Sequence, residues 1–377
     1  MKQILTSLLL AIGMMNSSYA QNGWVQKQNG PAKNRAGSFV IGNYAYYGAG
    51  NNTYGSAETN TWFRYDPQND SWTQIASMPQ GMQALETFSI NGKGYAGVGW
   101  FSGYSTNLFY EYDPVINQWT AKASYPTNTV HDAGSFELNG EGYICGGAVP
   151  YSNAVQAISY KFNPGFNSWS AISPLPTGLR NGVGFVVNNK PYVINGETPS
   201  GTPFTSGFRY DSGPNTWAPI NVPGGFTLRY NIASRDSEAF IIKIPYGPFG
   251  NNNFEFWNYN DNTQTWTQLP DRPFSDAATA FVNINSRLFA FLPNGQVWEY
   301  TGDISSPEFS QACDTATFPS NFQSGYGRCV RTNDGNIVTV GNINMLNNWV
   351  NGDIVLNKYD PNLNLLWSRV FLPRWRT

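Results

Sequence analysis

The sequence has few charged residues, one histidine and three cysteines, and these shortages exclude several classes of protein. Charged residues make up 12% of the 377 residues and the net charge is -2, so the chain offers little electrostatic attraction to nucleic acid. A single histidine cannot supply a multi-histidine metal site. The sequence also lacks a phosphate-binding glycine loop and a nucleophile elbow. We therefore expect no metal, no cofactor and no nucleic-acid partner, and we assign no catalytic residue.

Long apolar runs are also scarce, and the one at the N-terminus is too short to cross a bilayer comfortably. Residues 1–20 read MKQILTSLLLAIGMMNSSYA, with Lys2 before an apolar stretch and a small-x-small signal that ends at Ala20. This pattern predicts a signal peptide, with Gln21 as the mature N-terminus. We expect no transmembrane segment and an exported protein that is secreted, periplasmic or attached to the cell surface.

The three cysteines lie in two different settings. Cys145 is part of the apolar strand pattern GYICGG and is expected to be a buried free thiol. Cys313 and Cys329 lie close together in the C-terminal region, where they are candidates for a disulfide in an oxidising compartment. The odd number of cysteines leaves other pairings open.

Aromatic residues (16%) and glycine (38 residues) are abundant, and they recur at a regular spacing. The motif RYDPQNDSW, which begins at Arg64, recurs with sequence variations every 47 to 50 residues. Each copy ends on a tryptophan, and these tryptophans are Trp72, Trp119, Trp169, Trp217 and Trp266. Such a period is typical of a repeat architecture in which each unit is one supersecondary structure.

A second element precedes each copy of this motif. It reads as an apolar strand, a short turn rich in Asn and Gly, and another apolar strand, as in ALETFSINGKGYAGVG (84–99). Asn and Gly tolerate positive φ, so this pattern predicts a hairpin. A third strand leads into the Tyr-Asp turn and the tryptophan strand follows it. Four strands about every 48 residues match the blades of a β-propeller, and the recurring Trp and Tyr are expected to pack between blades.

The paired glycines, the Tyr-Asp-Pro turn and the tryptophan five residues later resemble the Kelch repeat. The resemblance spans about residues 22 to 302 and is strongest in the first three units. It implies a Kelch-type β-propeller. The sixth unit supplies only three strands, whereas Trp24 lies in a tryptophan strand with none before it. We therefore predict an all-β, six-bladed propeller over residues 21–306, closed by the N-terminal strand, since closure removes exposed sheet edges.

Residues 307–377 have a different character. The stretch from Gly325 to Phe371 again reads as strand, turn, strand, loop, strand, Asp-Pro turn and tryptophan strand. It resembles a blade-like repeat that is common in secreted proteins of Bacteroidetes-type bacteria. We expect a small C-terminal β module, which is either an appended unit or part of a truncated second domain.

A binding site is expected on the face where the loops after the second strands meet the segments that lead into the inner strands. Loops carry function while strands form the scaffold. Exposed aromatics beside amides suit sugar rings and equally suit adaptable protein recognition. The candidate ligand-binding residues are Asn34, Arg35, Glu86, Trp100, Tyr104, His131, Asp132, Arg180, Asn181 and Arg229. The segment Asn34–Gly37 also resembles the one by which peptide-binding Kelch domains present Arg and Asn to acidic ligands.

The sequence favours a binding scaffold for a glycan or for an extracellular or periplasmic protein. Two alternatives remain. One is a sugar mutarotase, similar to the exported six-bladed Kelch proteins that interconvert sialic acid anomers. This reaction requires an acid and a base at the channel mouth and an arginine for the substrate carboxylate. The other is a structural module of a larger surface protein.

Overall fold

The computed structural model describes residues 23–127, 130–149, 154–194, 196–197, 200, 206–222, 231–242, 255–270, 272–276 and 278–302, and, in the C-terminal region, the four strands given below. The regular elements in these ranges are all β-strands. The chain divides into two compact units, Met1–Gly302 and Asp303–Thr377.

The first unit contains six antiparallel four-stranded sheets. Five of them are formed by strands from one continuous stretch of the chain, and the sixth combines strands from both ends of the unit. Blade 1 consists of β2 (Gly37–Ile41), β3 (Tyr44–Gly48), β4 (Trp62–Asp66) and β5 (Ser71–Ile75). Blade 2 consists of β6 (Glu86–Ile90), β7 (Lys93–Gly97), β10 (Phe109–Asp113) and β11 (Gln118–Ala121). A small hairpin, β8 (Trp100–Phe101) and β9 (Tyr104–Ser105), extends from blade 2.

The other blades repeat this plan. Blade 3 consists of β12 (Gly134–Leu138), β13 (Glu141–Cys145), β14 (Ser159–Asn163) and β15 (Ser168–Ala171). Blade 4 consists of β16 (Val183–Val187), β17 (Lys190–Ile194), β18 (Ser206–Asp211) and β19 (Thr216–Asn221). Blade 5 consists of β20 (Asn231–Arg235), β21 (Glu238–Ile242), β22 (Phe256–Asn260) and β23 (Thr265–Leu269).

Blade 6 is built from both ends of the propeller sequence. Its inner strands are β24 (Ala280–Ile284), β25 (Arg287–Phe291) and β26 (Val297–Tyr300), and its outer strand is β1 (Trp24–Lys27). β1 pairs antiparallel with β26, with Trp24 opposite Tyr300. The innermost strands of neighbouring blades contact one another in order around the ring, and β24 contacts β2. The predicted six blades and their closure by the N-terminal strand are confirmed.

The hairpin turns follow the residue preferences that the sequence indicated. Asn91 and Gly92 have φ of 51° and 77°, and Asn139 and Gly140 have φ of 52° and 79°. These are left-handed conformations, which Asn and Gly adopt more easily than other residues. The turn between the first and second strands is therefore specified locally, and it sets the register in which the two strands pair.

Six clusters of buried apolar side chains fill the spaces between blades, one for each neighbouring pair. In blade 1 the ring of Phe39 packs against Gly94 of blade 2, where a Cβ atom would lie 2.1 Å from the ring. The tryptophans of the repeat also pack between blades, as Trp119 does against Trp62 with ring centroids 5.1 Å apart. The core is thus divided into inter-blade layers, and each blade is stabilised by both of its neighbours.

In blades 1 to 4 the turn before the tryptophan strand is hydrogen-bonded to the preceding blade, a contact that we call the clamp. In blade 2 the side-chain Oδ1 of Asn117 accepts a hydrogen bond from the backbone N–H of Ala76 (2.9 Å) and another from the Tyr112 hydroxyl (2.8 Å). The indole N–H of Trp119 donates to the carbonyl of Ala76 (2.9 Å). Asn167 and Asn215 make the same backbone contact in the next two blades. In blade 1 Asp70 has this role toward Gln28, which follows β1.

Replacing Asn117 with alanine is expected to lower the free energy of unfolding by about 2 kcal/mol. Two hydrogen bonds of about 1 kcal/mol each are lost, and alanine is less favourable than asparagine at the φ of 51° found here. Asn117→Asp is the matched control, because aspartate occupies the equivalent position of blade 1 and keeps the acceptor. Urea unfolding checks the difference, and equal losses in both variants would contradict the clamp.

The second unit contains one described four-stranded sheet. Its strands are β27 (Arg328–Arg331), β28 (Ile337–Ile343), β29 (Asp353–Tyr359) and β30 (Leu365–Phe371), which pair in that order. Cys313 and the side chain of Cys329 lie outside the described residues, so their disulfide stays a prediction. Cys145 is a buried free thiol, as the strand pattern around it indicated.

Candidate functional site

The residue two positions before the inner strand has the same backbone conformation in four successive blades. Arg35, Ala84, Asp132 and Asn181 have φ between 50° and 55°. The residue before each of them forms a β-bridge with the loop that follows the second strand, as Asn34 does with Asn51. Neighbouring blades are linked here too, since the N–H of Ala84 donates to the carbonyl of Arg35 (3.0 Å). The repeat thus brings equivalent residues to one end of the central axis.

These positions surround a cavity on the axis, which we call the funnel. Its volume is about 850 Å³, and residues from all six blades line it. The alternation of side chains along each inner strand explains the composition of the wall. Every second residue faces the axis, while the others face a neighbouring blade. The polar and charged side chains of the wall include Asn34, Arg35, Tyr54, Glu86, Asp132, Asn181, Asn231 and Asp276.

Arg35 and Asp132 form an ion pair across the mouth of the funnel. The Nη2 atom of Arg35 lies 2.8 Å from Oδ1 and 2.6 Å from Oδ2 of Asp132. The two residues belong to blades 1 and 3, and the equivalent position of the blade between them is Ala84, whose small side chain leaves room for the contact. The Nε atom of Arg35 is buried and has no hydrogen-bond partner in the described part of the chain. The positive charge of Arg35 is therefore already neutralised within the protein.

His131 lies beside this pair and holds the β8–β9 hairpin. Its Nδ1 atom is 2.9 Å from the Ser105 hydroxyl, and its ring meets that of Trp100 edge-on with centroids 4.8 Å apart. Its Nε2 atom is 3.6 Å from Oδ2 of Asp132, which is too long for a hydrogen bond. Burial lowers the pKa of His131, as do the charges of Arg35 and Arg180, against an opposing effect of Asp132. The imidazole is therefore held in its neutral form near pH 7.

Arg180 pairs with a carboxylate of its own blade. Its Nε atom donates to Oε2 of Glu197 at 2.8 Å, and the Glu197 side chain is buried. Arg180 is not part of the funnel wall. Arg229 lies outside the described residues. The two described arginines of the predicted site thus bind separate carboxylates and do not converge on one anion position.

Glu86 is buried between blades 2 and 3 and also touches the funnel. Its Oε1 atom accepts a hydrogen bond from the backbone N–H of Ala133 at 2.8 Å. Burial, together with the nearby charge of Asp132, raises the pKa of the Glu86 carboxyl to about 8, although the hydrogen bonds from Ser135 and Ala133 oppose the shift. The carboxyl is therefore protonated at neutral pH and is a neutral group in the wall.

A buried lysine fixes the loop that carries Tyr54. The ammonium of Lys33 donates to the side-chain oxygens of Asn52 (2.9 Å), Thr59 (2.6 Å) and Thr61 (2.8 Å). Burial lowers the pKa of this lysine to about 8. Tyr54 lies near the tip of the same loop, where 79% of its surface is exposed and it borders the funnel.

The structure places the predicted site residues in two groups. Asn34, Arg35, Glu86, Asp132 and Asn181 line the funnel, whereas Trp100, Tyr104, His131 and Arg180 lie outside its wall. The candidate residues did not include several other polar residues of the wall, among them Tyr54, Asn231, Asp276 and Asn283. The repeat spacing was the available signal for Asn231, which lies 48 residues after Val183 and, like it, begins an inner strand.

The described residues contain no group of three or more His, Cys, Asp and Glu side chains placed to hold a metal ion. In the same part of the chain there is no helix long and apolar enough to span a bilayer.

The ring of six four-stranded sheets around a polar axial cavity defines a six-bladed β-propeller. Comparison with solved structures agrees with this class. One similar structure, described as "Structure of YjhT", has a TM-score of 0.60 and 16% sequence identity, and the match covers 72% of this chain and 94% of that one. At this identity the similarity extends to the fold alone. No protein-family model matches the sequence, and a search of curated proteins gave no match.

Proposed function

We propose that this protein binds a carbohydrate in the funnel. The observation that carries this proposal is a cavity of about 850 Å³ whose polar side chains come from blades all around the axis. This volume is in the range of small-molecule and oligosaccharide sites, roughly 300–1,000 Å³. A protein partner instead requires a broad surface of roughly 800 Å² on each side. The concave shape thus favours a glycan over a protein.

The chemistry of the wall suits hydroxyl-rich ligands. The side-chain amides of Asn34 and Asn181 offer both donors and acceptors, which match sugar hydroxyls. The Nδ2 atom of Asn231 donates to the carbonyl of Ala278, so this amide offers mainly its oxygen. Tyr54 supplies an exposed aromatic ring at the edge of the funnel, and such a ring has an apolar face for sugar C–H groups and a polar hydroxyl. The predicted signal peptide supports a role outside the cytoplasm, where glycans are accessible.

A glycan array followed by titration calorimetry tests the proposal. Asn181→Ala is expected to weaken binding of the selected glycan about tenfold, since a lost hydrogen bond in a desolvated site costs about 1–1.5 kcal/mol. Tyr104→Ala is the control, because Tyr104 is exposed and lies outside the funnel wall. If Tyr104→Ala weakened binding and Asn181→Ala did not, the site would be the β8–β9 hairpin. If no glycan bound, the proposed function would be wrong.

A sugar mutarotase is the second candidate, and the state of Glu86 favours it. Ring opening of a sugar hemiacetal requires a proton to be removed from the anomeric hydroxyl and another to be given to the ring oxygen. Glu86 is a carboxyl group in the wall whose pKa is about 8, so it carries a proton at neutral pH. Exchange spectroscopy by NMR on a freshly dissolved sugar separates this function from simple binding. An anomer-exchange rate equal to that in buffer would exclude it.

A further inference from the structure

The charges of the funnel wall indicate which carbohydrates it selects, an inference that rests on the proposed function. Four side chains in the described wall ionise as acids or strong bases, and they are Arg35, Glu86, Asp132 and Asp276. Arg35 and Asp132 neutralise each other through two short contacts, and Glu86 is buried in its neutral form. Asp276 is exposed. The net charge contributed by these four residues is therefore negative, and Asp276 is its source.

Hydrogen bonds from Arg272 fix the main chain around Asp276. Arg272 is buried, and its Nη1 atom donates to the backbone carbonyls of Phe274 (3.1 Å) and Asp276 (2.6 Å). The arginine therefore fixes the turn through backbone oxygens rather than through the carboxylate of Asp276. No described residue forms a hydrogen bond or ion pair with that carboxylate. The backbone position of Asp276 in the funnel wall is therefore set by Arg272, and the exposed carboxylate is an available hydrogen-bond acceptor.

A second acceptor lies deeper in the wall. The Nδ2 atom of Asn283 donates to the carbonyl of Ser234 at 2.7 Å, which sets the orientation of the amide. Its Oδ1 atom is buried and has no hydrogen-bond partner among the described residues. A buried acceptor without a donor is unfavourable, but this oxygen is closed to solvent, so a ligand donates a hydrogen bond to it only after the Asn283 side chain moves. A carboxylate has no proton to donate to either acceptor.

We propose that the funnel selects amino sugars, whose ammonium group pairs with Asp276, and discriminates against sugars that carry a carboxylate. Asp276 is the specificity-determining residue. Neutral sugars bind through the amides but lack the charged contact. Carboxylated sugars meet the negative charge of Asp276, and Arg35 reaches them only if its pair with Asp132 is broken.

Titration calorimetry with three probes at pH 6.5 and low ionic strength tests this selectivity. The probes are a glucosamine disaccharide with free amines, its N-acetylated form, and N-acetylneuraminic acid. The free-amine disaccharide is expected to bind up to about fivefold more tightly than the N-acetylated form, since an exposed charge pair contributes up to about 1 kcal/mol. Asp276→Asn is expected to remove this preference. Asp211→Asn, at an exposed carboxylate at the end of β18, is the control and should leave the preference unchanged.

The outcomes separate the two proposals. Equal affinity for the free-amine and N-acetylated disaccharides would overturn the inference and leave carbohydrate binding intact. Tightest binding of N-acetylneuraminic acid, lost in Arg229→Gln, would also overturn it and would assign the anion to Arg229. Failure of all three probes together with the glycan array would refute the proposed function, and the inference would fall with it.

Discussion

Replacing Trp24 with alanine is expected to lower the free energy of unfolding of the propeller by about 3–5 kcal/mol. Trp24 is fully buried, and truncating a buried aromatic residue to alanine has a cost in this range. Its ring contacts Phe256 of blade 5, Phe274, and Phe281 and Tyr300 of blade 6, with centroids 5.0 to 5.9 Å away. The substitution therefore opens a cavity where the first and last parts of the ring meet.

Two control variants separate packing from other effects. Trp24→Phe keeps an aromatic ring in the layer and removes the indole N–H, which is buried and has no hydrogen-bond partner among the described residues. Its cost is expected to be clearly smaller than that of Trp24→Ala, because phenylalanine leaves a smaller cavity. Gln26→Ala changes an exposed position of the same strand and should have almost no effect.

Equilibrium unfolding in urea, followed by tryptophan fluorescence and by circular dichroism, measures these differences. We also expect Trp24→Ala to aggregate more readily, because loosening β1 exposes the edge of β26 for pairing with other chains. A Trp24→Ala variant as stable as Gln26→Ala would mean that the layer between blades 5 and 6 does not depend on the N-terminal strand.

The architecture could be predicted from the sequence because it depends on local patterns that repeat. The alternation of apolar residues specifies the strands, the Asn-Gly pairs specify the turns, and the spacing of the tryptophans specifies the blades. These three signals are independent of one another. The closing strand could be predicted by counting the strands in each unit. The tryptophan strand at Trp24 had no strands before it, and the unit whose first strand begins at Ala280 lacked a fourth strand. Agreement among these local signals is what allows one sequence to specify one ring.

The site was less predictable because its contacts cross the ring. Arg35 and Asp132 are 97 residues apart, and they meet only because the blade between them carries Ala84 at the equivalent position. The sequence placed both residues near the axis but did not show that each neutralises the other. The rings of Trp100 and His131, two candidate ligand-binding residues, pack against each other, and the sequence did not indicate this contact either.

Burial also changes the chemistry of a residue in a way that composition does not reveal. Glu86 occupies a position that is glycine in blades 1 and 3, at Gly37 and Gly134. At this position a side chain faces the space between blades, so the glutamate of blade 2 is buried against blade 3, where it accepts a hydrogen bond from the backbone of Ala133. Its charge state, and with it the charge of the funnel, follows from that location.

Replacing Glu86 with glutamine is expected to make the protein more resistant to unfolding at pH 8 and to leave its stability at pH 5 nearly unchanged. The pKa of Glu86 is raised from 4.5 to about 8 in the folded protein. Between these values the folded state keeps a proton that the unfolded state has released. The stability of the wild-type protein therefore falls as pH rises through this window. Glutamine resembles the protonated carboxyl and carries no such penalty.

The expected gain of Glu86→Gln at pH 8 is about 3 kcal/mol. A pKa raised from 4.5 to about 8 corresponds to a full gain of roughly 4–5 kcal/mol, at about 1.4 kcal/mol per pH unit. We expect less than this because the buried site relaxes around the charge. Glu238→Gln, at a partly exposed position that begins β21, is the matched control and should follow the wild-type profile. Urea midpoints at pH 5, 6, 7 and 8 measure the three curves. Parallel curves for Glu86→Gln and the wild type would show that Glu86 is already ionised in the folded state. In that case the Glu86 carboxylate would be charged at neutral pH, and the funnel wall would carry a second negative charge.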